Sequence, residues 1–176
     1  MPRMLLPFRS ASRRLRLAVL LGGGTCLALS SGCGYRLTPR GEGLPGGAKT
    51  VCAPIFTNET PEPALETLFT RYLRQELTRV GKLGAGTSCD AKVEGTVLQV
   101  WSSPTIVGRF FRVHAQVRLR WVKEGQQPQE TVVFGTEDYL PGSGDVLEAE
   151  ANRQAAMDRL AAVLMRDGFD RLANAW

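Results

Sequence analysis

The sequence predicts an α+β fold, a two-layer sandwich of order β-α-β-β-β-α with a mixed four-stranded sheet and two helices on one face. Three observations carry this. Residues 111–121 alternate strictly, with Phe111, Val113, Ala115, Val117, Leu119 and Trp121 on one face and Arg112, His114, Gln116, Arg118 and Arg120 on the other. Leu65, Leu68, Phe69, Tyr72, Leu73, Leu77 and Val80 recur at spacings of three and four, which places one apolar stripe on a helix. A second long helical stretch follows the breaker formed by Pro141, Gly142, Ser143 and Gly144. Packing both helices on one face buries their stripes and leaves the other face of the sheet wet, as the alternation over 111–121 requires.

Taken from the N-terminus, residues 1–32 read as an export signal that is removed. Arg3, Arg9, Arg13, Arg14 and Arg16 precede an apolar run at residues 17–29 and a small-residue end at Ser30, Ser31 and Gly32. As a helix that run reaches roughly 20 Å, short of the ~30 Å of a bilayer core. Gly32 directly before Cys33 resembles the bacterial lipoprotein cleavage box, although Ser30 stands where Leu is usual. Cys33 is then the acylated first residue, carrying palmitate-type chains, and more than one chain is needed for a stable anchor. Gly34 is not the Asp associated with inner-membrane retention, so the expected address is the outer membrane, facing the periplasm.

Removing the leader changes what the charge implies. The whole chain has 22 Lys and Arg against 17 Asp and Glu, but the entire surplus of five lies in the leader, so the remainder is neutral. A polyanion binder needs a basic footprint. None remains, and nucleic acid is not an expected partner.

Residues 33–48 are rich in Gly and Pro and read as a flexible tether. Gly41, Gly43 and Gly46 formally match GxGxxG, but no strand precedes them and Pro45 interrupts them, which excludes a dinucleotide fingerprint. The folded domain is expected over residues 49–176. Its first strand spans residues 49–56, with Pro54 marking an end or edge. Thr60 or Glu62 can cap the helix that follows, and Gly81 or Gly84 can end it. Residues 91–102 form the second strand, closed by Pro104. Residues 111–121 form the third, and a polar turn at 124–129 leads to the fourth at 130–140. The last helix runs over 145–166 and continues, past a possible break at Gly168, through 169–176.

Cys26 leaves with the leader and Cys33 carries lipid, so Cys52 and Cys89 are the remaining thiols in an oxidising space. Parallel first and second strands would bring both to one edge of the sheet. A Cys52–Cys89 disulfide is the expected outcome, with two buried free thiols as the competing reading. No zinc spacing, catalytic cluster or cofactor motif is present. His114 reads as a polar surface residue, Trp101, Trp121 and Trp176 as core or interface anchors, and the Asn58, Glu59, Thr60 sequon as uninformative in a bacterial lipoprotein.

The ordered set of Cys33, Gly34, Tyr35, Arg36 and Leu37, then residues 53–60, 63–70 and 90–97 and the final helix with Met157, Asp158 and Arg159, resembles the LPS-assembly lipoprotein family (LptE). The resemblance implies a non-enzymatic lipoprotein without cofactor, seated partly inside the lumen of an outer-membrane β-barrel translocon. It implies that the protein helps that barrel assemble and contacts lipopolysaccharide (LPS) in transit. The family's LPS-contacting residues do not map onto matching motifs here, so Arg109, Arg112, Arg118 and Arg120 are assigned on chemistry alone, as bidentate donors to lipid A phosphates or to the partner. An ordinary solvated strand face is the competing reading of that stripe. The alternative function is activation of a periplasmic peptidoglycan synthase, since Pro54, Phe56, Asn58 and Thr60 also fit a first strand of that type.

Overall fold

The computed structural model describes residues 44–85, 88–105 and 109–174. The expected signal segment, Cys33, most of the tether and Trp176 lie outside the described residues. The sheet is mixed, as expected, but its first strand is split. β1 (Val51–Cys52) and β2 (Thr57–Asn58) each pair in parallel with β3 (Ala91–Pro104), giving five strands by count. Val51 pairs with Ala91 and Thr57 with Thr96, so the register slips by one residue in between. Pro54 lies at the slip and has no N–H to give to the ladder. The freed carbonyl of Ala53 accepts from Arg74 Nε at 2.9 Å, and Phe56 N–H donates to the buried Thr70 Oγ1 at 2.9 Å. Phe56 itself lies over Gly95 of β3, in the space a Cβ there would fill.

α1 (Leu65–Arg79) returns the chain from β2 to β3 and buries Leu65, Phe69, Leu73 and Leu77. Neither Thr60 nor Glu62 caps it. Ala64 takes that position in the left-handed region, at φ 68°, without a side-chain bond. Thr60 and Asn58 instead tie the preceding turn: Thr60 Oγ1 donates to Asn58 Oδ1 at 2.8 Å and Asn58 Nδ2 donates to Glu62 O at 2.7 Å. The sequon residues are thus joints of a turn. Gly81, at φ 67°, ends the helix as expected, and Lys82 N–H reaches back to Leu77 O at 2.8 Å.

β3, β4 (Phe111–Val122) and β5 (Gln129–Tyr139) form an antiparallel meander. α2 (Val146–Asn174) then packs beside α1 on the same face of the sheet. It runs through Gly168 without a break. A Cβ at Gly168 would stand 2.5 Å from Leu119 Cδ1, so the missing side chain lets the helix close onto β4. That contact offsets the ~1 kcal/mol that Gly costs a helix. Val93, Val97, Val113, Val117, Leu119, Trp121 and Val133 from the sheet meet Phe69, Leu73, Leu160, Leu164, Met165 and Phe169 from the helices in one core. The packed part also starts ahead of the boundary expected at Lys49. Leu44 and Ala48 are buried, and Lys123 Nζ donates to Gly46 O at 2.6 Å.

Candidate functional site

The outer face of the sheet has no helix over it among the described residues, and it gathers three of the four predicted arginines. Alternation along β4 turns Arg112, Arg118 and Arg120 outward. Each meets a carboxylate on a neighbouring strand. Arg112 makes a fork to Asp138 on β5, Nε to Oδ1 at 2.6 Å and Nη2 to Oδ2 at 2.9 Å. Arg118 Nε lies 3.1 Å from Glu130 Oε1, and Arg120 Nη1 lies 3.6 Å from Glu94 Oε2 on β3. The stripe is therefore charge-compensated, and any phosphate would exchange with a carboxylate already in place. The fork holds the Asp138 carboxyl below its ordinary range and raises the Arg112 guanidinium. Arg109 is set apart in the β3–β4 connection, which the Thr105 N–H to Phe110 O bond at 2.9 Å closes, and it has no ion-pair partner among the described residues. It precedes the start of β4, and Lys123 follows the end of that strand, which is itself roughly 37 Å long at ~3.4 Å per residue.

The centre of this face is aromatic, which periodicity alone did not reveal. Trp101 on β3 pairs with His114 on β4, ring centroids 4.6 Å apart and planes 3° from parallel. Phe134 on β5 lies 6.0 Å from Trp101 and 6.1 Å from His114. Trp101 is 41% exposed and Phe134 54%. Around the rings stand Ser103, Gln99, Gln116 and Thr136, then the Arg112–Asp138 fork. A β-bulge at Leu98 places Trp101 here. Up to Val97 the odd-numbered residues of β3 face the core, the register shifts between Val97 and Gln99, and from Val100 onward the even-numbered ones do. Beside the bulge lies a groove of about 340 Å³ lined by residues that include Glu59, Thr60, Pro61, Leu98 and Trp101.

His114 is half-buried under these rings rather than freely exposed. Its Nε2 is 3.0 Å from Ser103 Oγ, and its Nδ1 is buried without a hydrogen-bond partner among the described residues. Burial, with the Arg112 charge added, pushes its pKa down, against the pull of Asp138. A Ser–His contact begins nucleophile activation only where a third group orients the imidazole. Here Nδ1 has none, and Trp101 covers one ring face, so the contact belongs to packing.

At the edge of the sheet opposite β5, Cys52 and Cys89 are joined as a disulfide, with Cα atoms 5.7 Å apart. Beside it, the Asp90 carboxylate accepts from the N–H groups of Lys49 and Thr50 at 2.8 and 3.1 Å, which lowers its pKa and fastens the start of β1 to that of β3. Among the described residues no group of three or more His, Cys, Asp or Glu is placed to hold a metal ion. No helix there is long and apolar enough to cross a membrane.

The family model described as lipopolysaccharide-assembly, LptE, matches residues 48–172. No curated protein matches in sequence. Among solved structures, a hypothetical protein from Chlamydia trachomatis is 15% identical, with 72% of this chain and 96% of that one covered at a TM-score of 0.50. PelC from Paraburkholderia phytofirmans is 13% identical over 71% and 86% of the two chains at 0.49. The rare lipoprotein B from Shewanella oneidensis is 14% identical over 72% and 92% at 0.43. The first shows a shared fold and nothing of function; the other two fall below the similarity at which a likeness carries an argument.

Proposed function

Because the chain belongs to the lipopolysaccharide-assembly family LptE, whose members are non-enzymatic outer-membrane lipoproteins, we propose that it plugs and helps assemble a β-barrel LPS translocon and binds LPS on its way to the outer leaflet. The observation that carries this reading is the family match over residues 48–172. The outer sheet face supports it. A barrel lumen is polar, and a plug suited to it offers paired charges and hydrogen-bonding groups, as the face bearing Arg112–Asp138, Arg118–Glu130 and Arg120–Glu94 does. In this reading the leader is cleaved after Gly32, Cys33 carries the lipid anchor, and the Cys52–Cys89 bridge forms in the periplasm. Arg112, Arg118 and Arg120 exchange carboxylate for lipid A phosphate, and Arg109 serves the barrel or the same ligand from the far end of β4.

The family match weighs against the peptidoglycan-synthase alternative, and Asn58 and Thr60, part of the motif that prompted it, act as turn joints. Affinity purification through a C-terminal tag, with bound protein and lipid identified together, tests the proposal. The expected catch is an outer-membrane barrel of LPS-transport type together with LPS, and depletion is expected to lower surface LPS. Capture of a penicillin-binding protein without such a barrel, or unchanged LPS export on depletion, would overturn it.

A further inference from the structure

We propose that Trp101, His114 and Phe134 form a stacking platform for a pyranose ring of the LPS glycan. This rests on the LPS-binding reading and names the part of the ligand that the centre of the face takes. The three rings are contributed by three adjacent strands: Trp101 stacks on His114, Phe134 lies about 6 Å from both, and the open ring surface is that of Trp101 and Phe134. Large aromatic side chains usually bury most of their surface. Here two of them are left partly open on a sheet face whose other outward positions are mostly polar, Val132 beside Phe134 being an exception.

The rim decides the occupant. Ser103, Gln99, Gln116 and Thr136 surround the rings, and the Arg112–Asp138 fork closes one end. An acyl chain laid across the rings would cover those groups and leave them without partners, which costs free energy for every one desolvated. A sugar ring matches both parts at once. Its face of C–H bonds meets the electron-rich faces of the aromatics, while its edge of hydroxyls meets amides, hydroxyls and the carboxylate. Arg112 stands two residues from His114 along β4, about 7 Å, within reach of a phosphate on the same sugar.

The test uses the intact purified protein in detergent and two probes: deacylated LPS, which keeps the phosphorylated glycan without its acyl chains, and dodecyl phosphate, which keeps chain and phosphate without sugar. The wild-type protein is expected to bind deacylated LPS and to transfer NMR saturation from aromatic protons to sugar ring protons. Trp101→Ala and Phe134→Ala are each expected to weaken that binding about tenfold, with Trp101→Tyr retaining most of it and thermal unfolding unchanged. Saturation transfer needs no variant and reads the contact directly. Equal affinity for intact LPS in the Trp101→Ala/Phe134→Ala protein, or wild-type binding of dodecyl phosphate but not of the deacylated glycan, would overturn the platform and leave the assembly role standing. A wild-type protein that binds no LPS in any form would overturn both.

Discussion

Trp101 and His114 face each other across β3 and β4 with ring centroids 4.6 Å apart and planes 3° from parallel. Burial of the imidazole, with the Arg112 charge nearby, disfavours its protonated form. The folded pKa therefore lies below the usual 6.5, with burial the largest cause. As pH falls through that range the unfolded chain takes the proton first, so stability is present above 6.5 and is lost as pH drops through the folded value. We expect the melting temperature to fall between about pH 7.5 and about pH 5.5, and His114→Gln to reduce that fall. His114 is the only histidine, so one NMR titration settles the sign: a midpoint at or above 6.5 contradicts it.

Gly95→Ala tests the packing that fixes the split first strand. The new methyl would occupy the space of the Phe56 ring, which is buried and hydrogen-bonded through its backbone to Thr70. An aromatic ring cannot fold aside as a long aliphatic chain can, so urea unfolding should show a loss of about 1–3 kcal/mol. Phe56→Leu in the same protein should return part of it. A Gly95→Ala protein as stable as wild type would mean that the strand shifts freely at Pro54.

The bridge between Cys52 and Cys89 closes a sequence separation of 37 residues. Opening a loop of that length costs roughly 2–4 kcal/mol on the chain-entropy account. The Asp90 clamp on Lys49 and Thr50 remains in the reduced protein, so β1 should stay paired and the protein should stay folded but melt earlier. Unfolding of the wild type with and without reductant, beside that of Cys52→Ser/Cys89→Ser, checks this. A reductant-insensitive wild type would show that the thiols are free in solution.

The layers were legible in the sequence because two periods speak for them: strict alternation fixes β4, and the stripe from Leu65 to Leu77 fixes α1. What escaped follows from features without a period. Continuing the phase of Val93 and Val97 would have put Trp101 in the core, and only the bulge at Leu98 turns it outward. Gly168 looks like a break when read locally, yet it is the point where α2 closes on Leu119, a contact set by a strand 49 positions away in the sequence. The arginine stripe was visible, but its partners were not, since Asp138, Glu130 and Glu94 become neighbours only through the strand register.

Arg153 should matter more to stability than any arginine on the outer face. It joins α2 to the turn before α1 through a fork to Glu62, at 2.9 and 2.5 Å, and its side chain is only 19% exposed. Arg153→Ala leaves the half-covered Glu62 carboxylate without its partner, an expected cost of about 1–3 kcal/mol. Arg120→Gln removes only an exposed pair at 3.6 Å from Glu94, worth at most ~1 kcal/mol. Denaturant unfolding of the two proteins side by side should preserve that order; equal losses would mean the Glu62 fork is no better shielded than the surface pairs.

The compensated stripe yields opposite signs for its two halves. If Arg112 binds a lipid A phosphate, the phosphate competes with Asp138 for the same guanidinium edge, since both oxygens of Asp138 already occupy it. Arg112→Gln removes the donor and should weaken LPS binding, and adding Arg118→Gln and Arg120→Gln should weaken it further. Asp138→Asn removes the competitor, leaves one positive charge unopposed, and should strengthen binding several-fold, with the gain shrinking as salt is raised. Both substitutions break the same exposed pair and should have similarly small effects on stability. A purely structural role for the pair would therefore move both proteins the same way. Calorimetric titration with LPS separates the two cases: opposite shifts assign phosphate recognition to the stripe, and parallel or absent shifts return it to an ordinary solvated strand face.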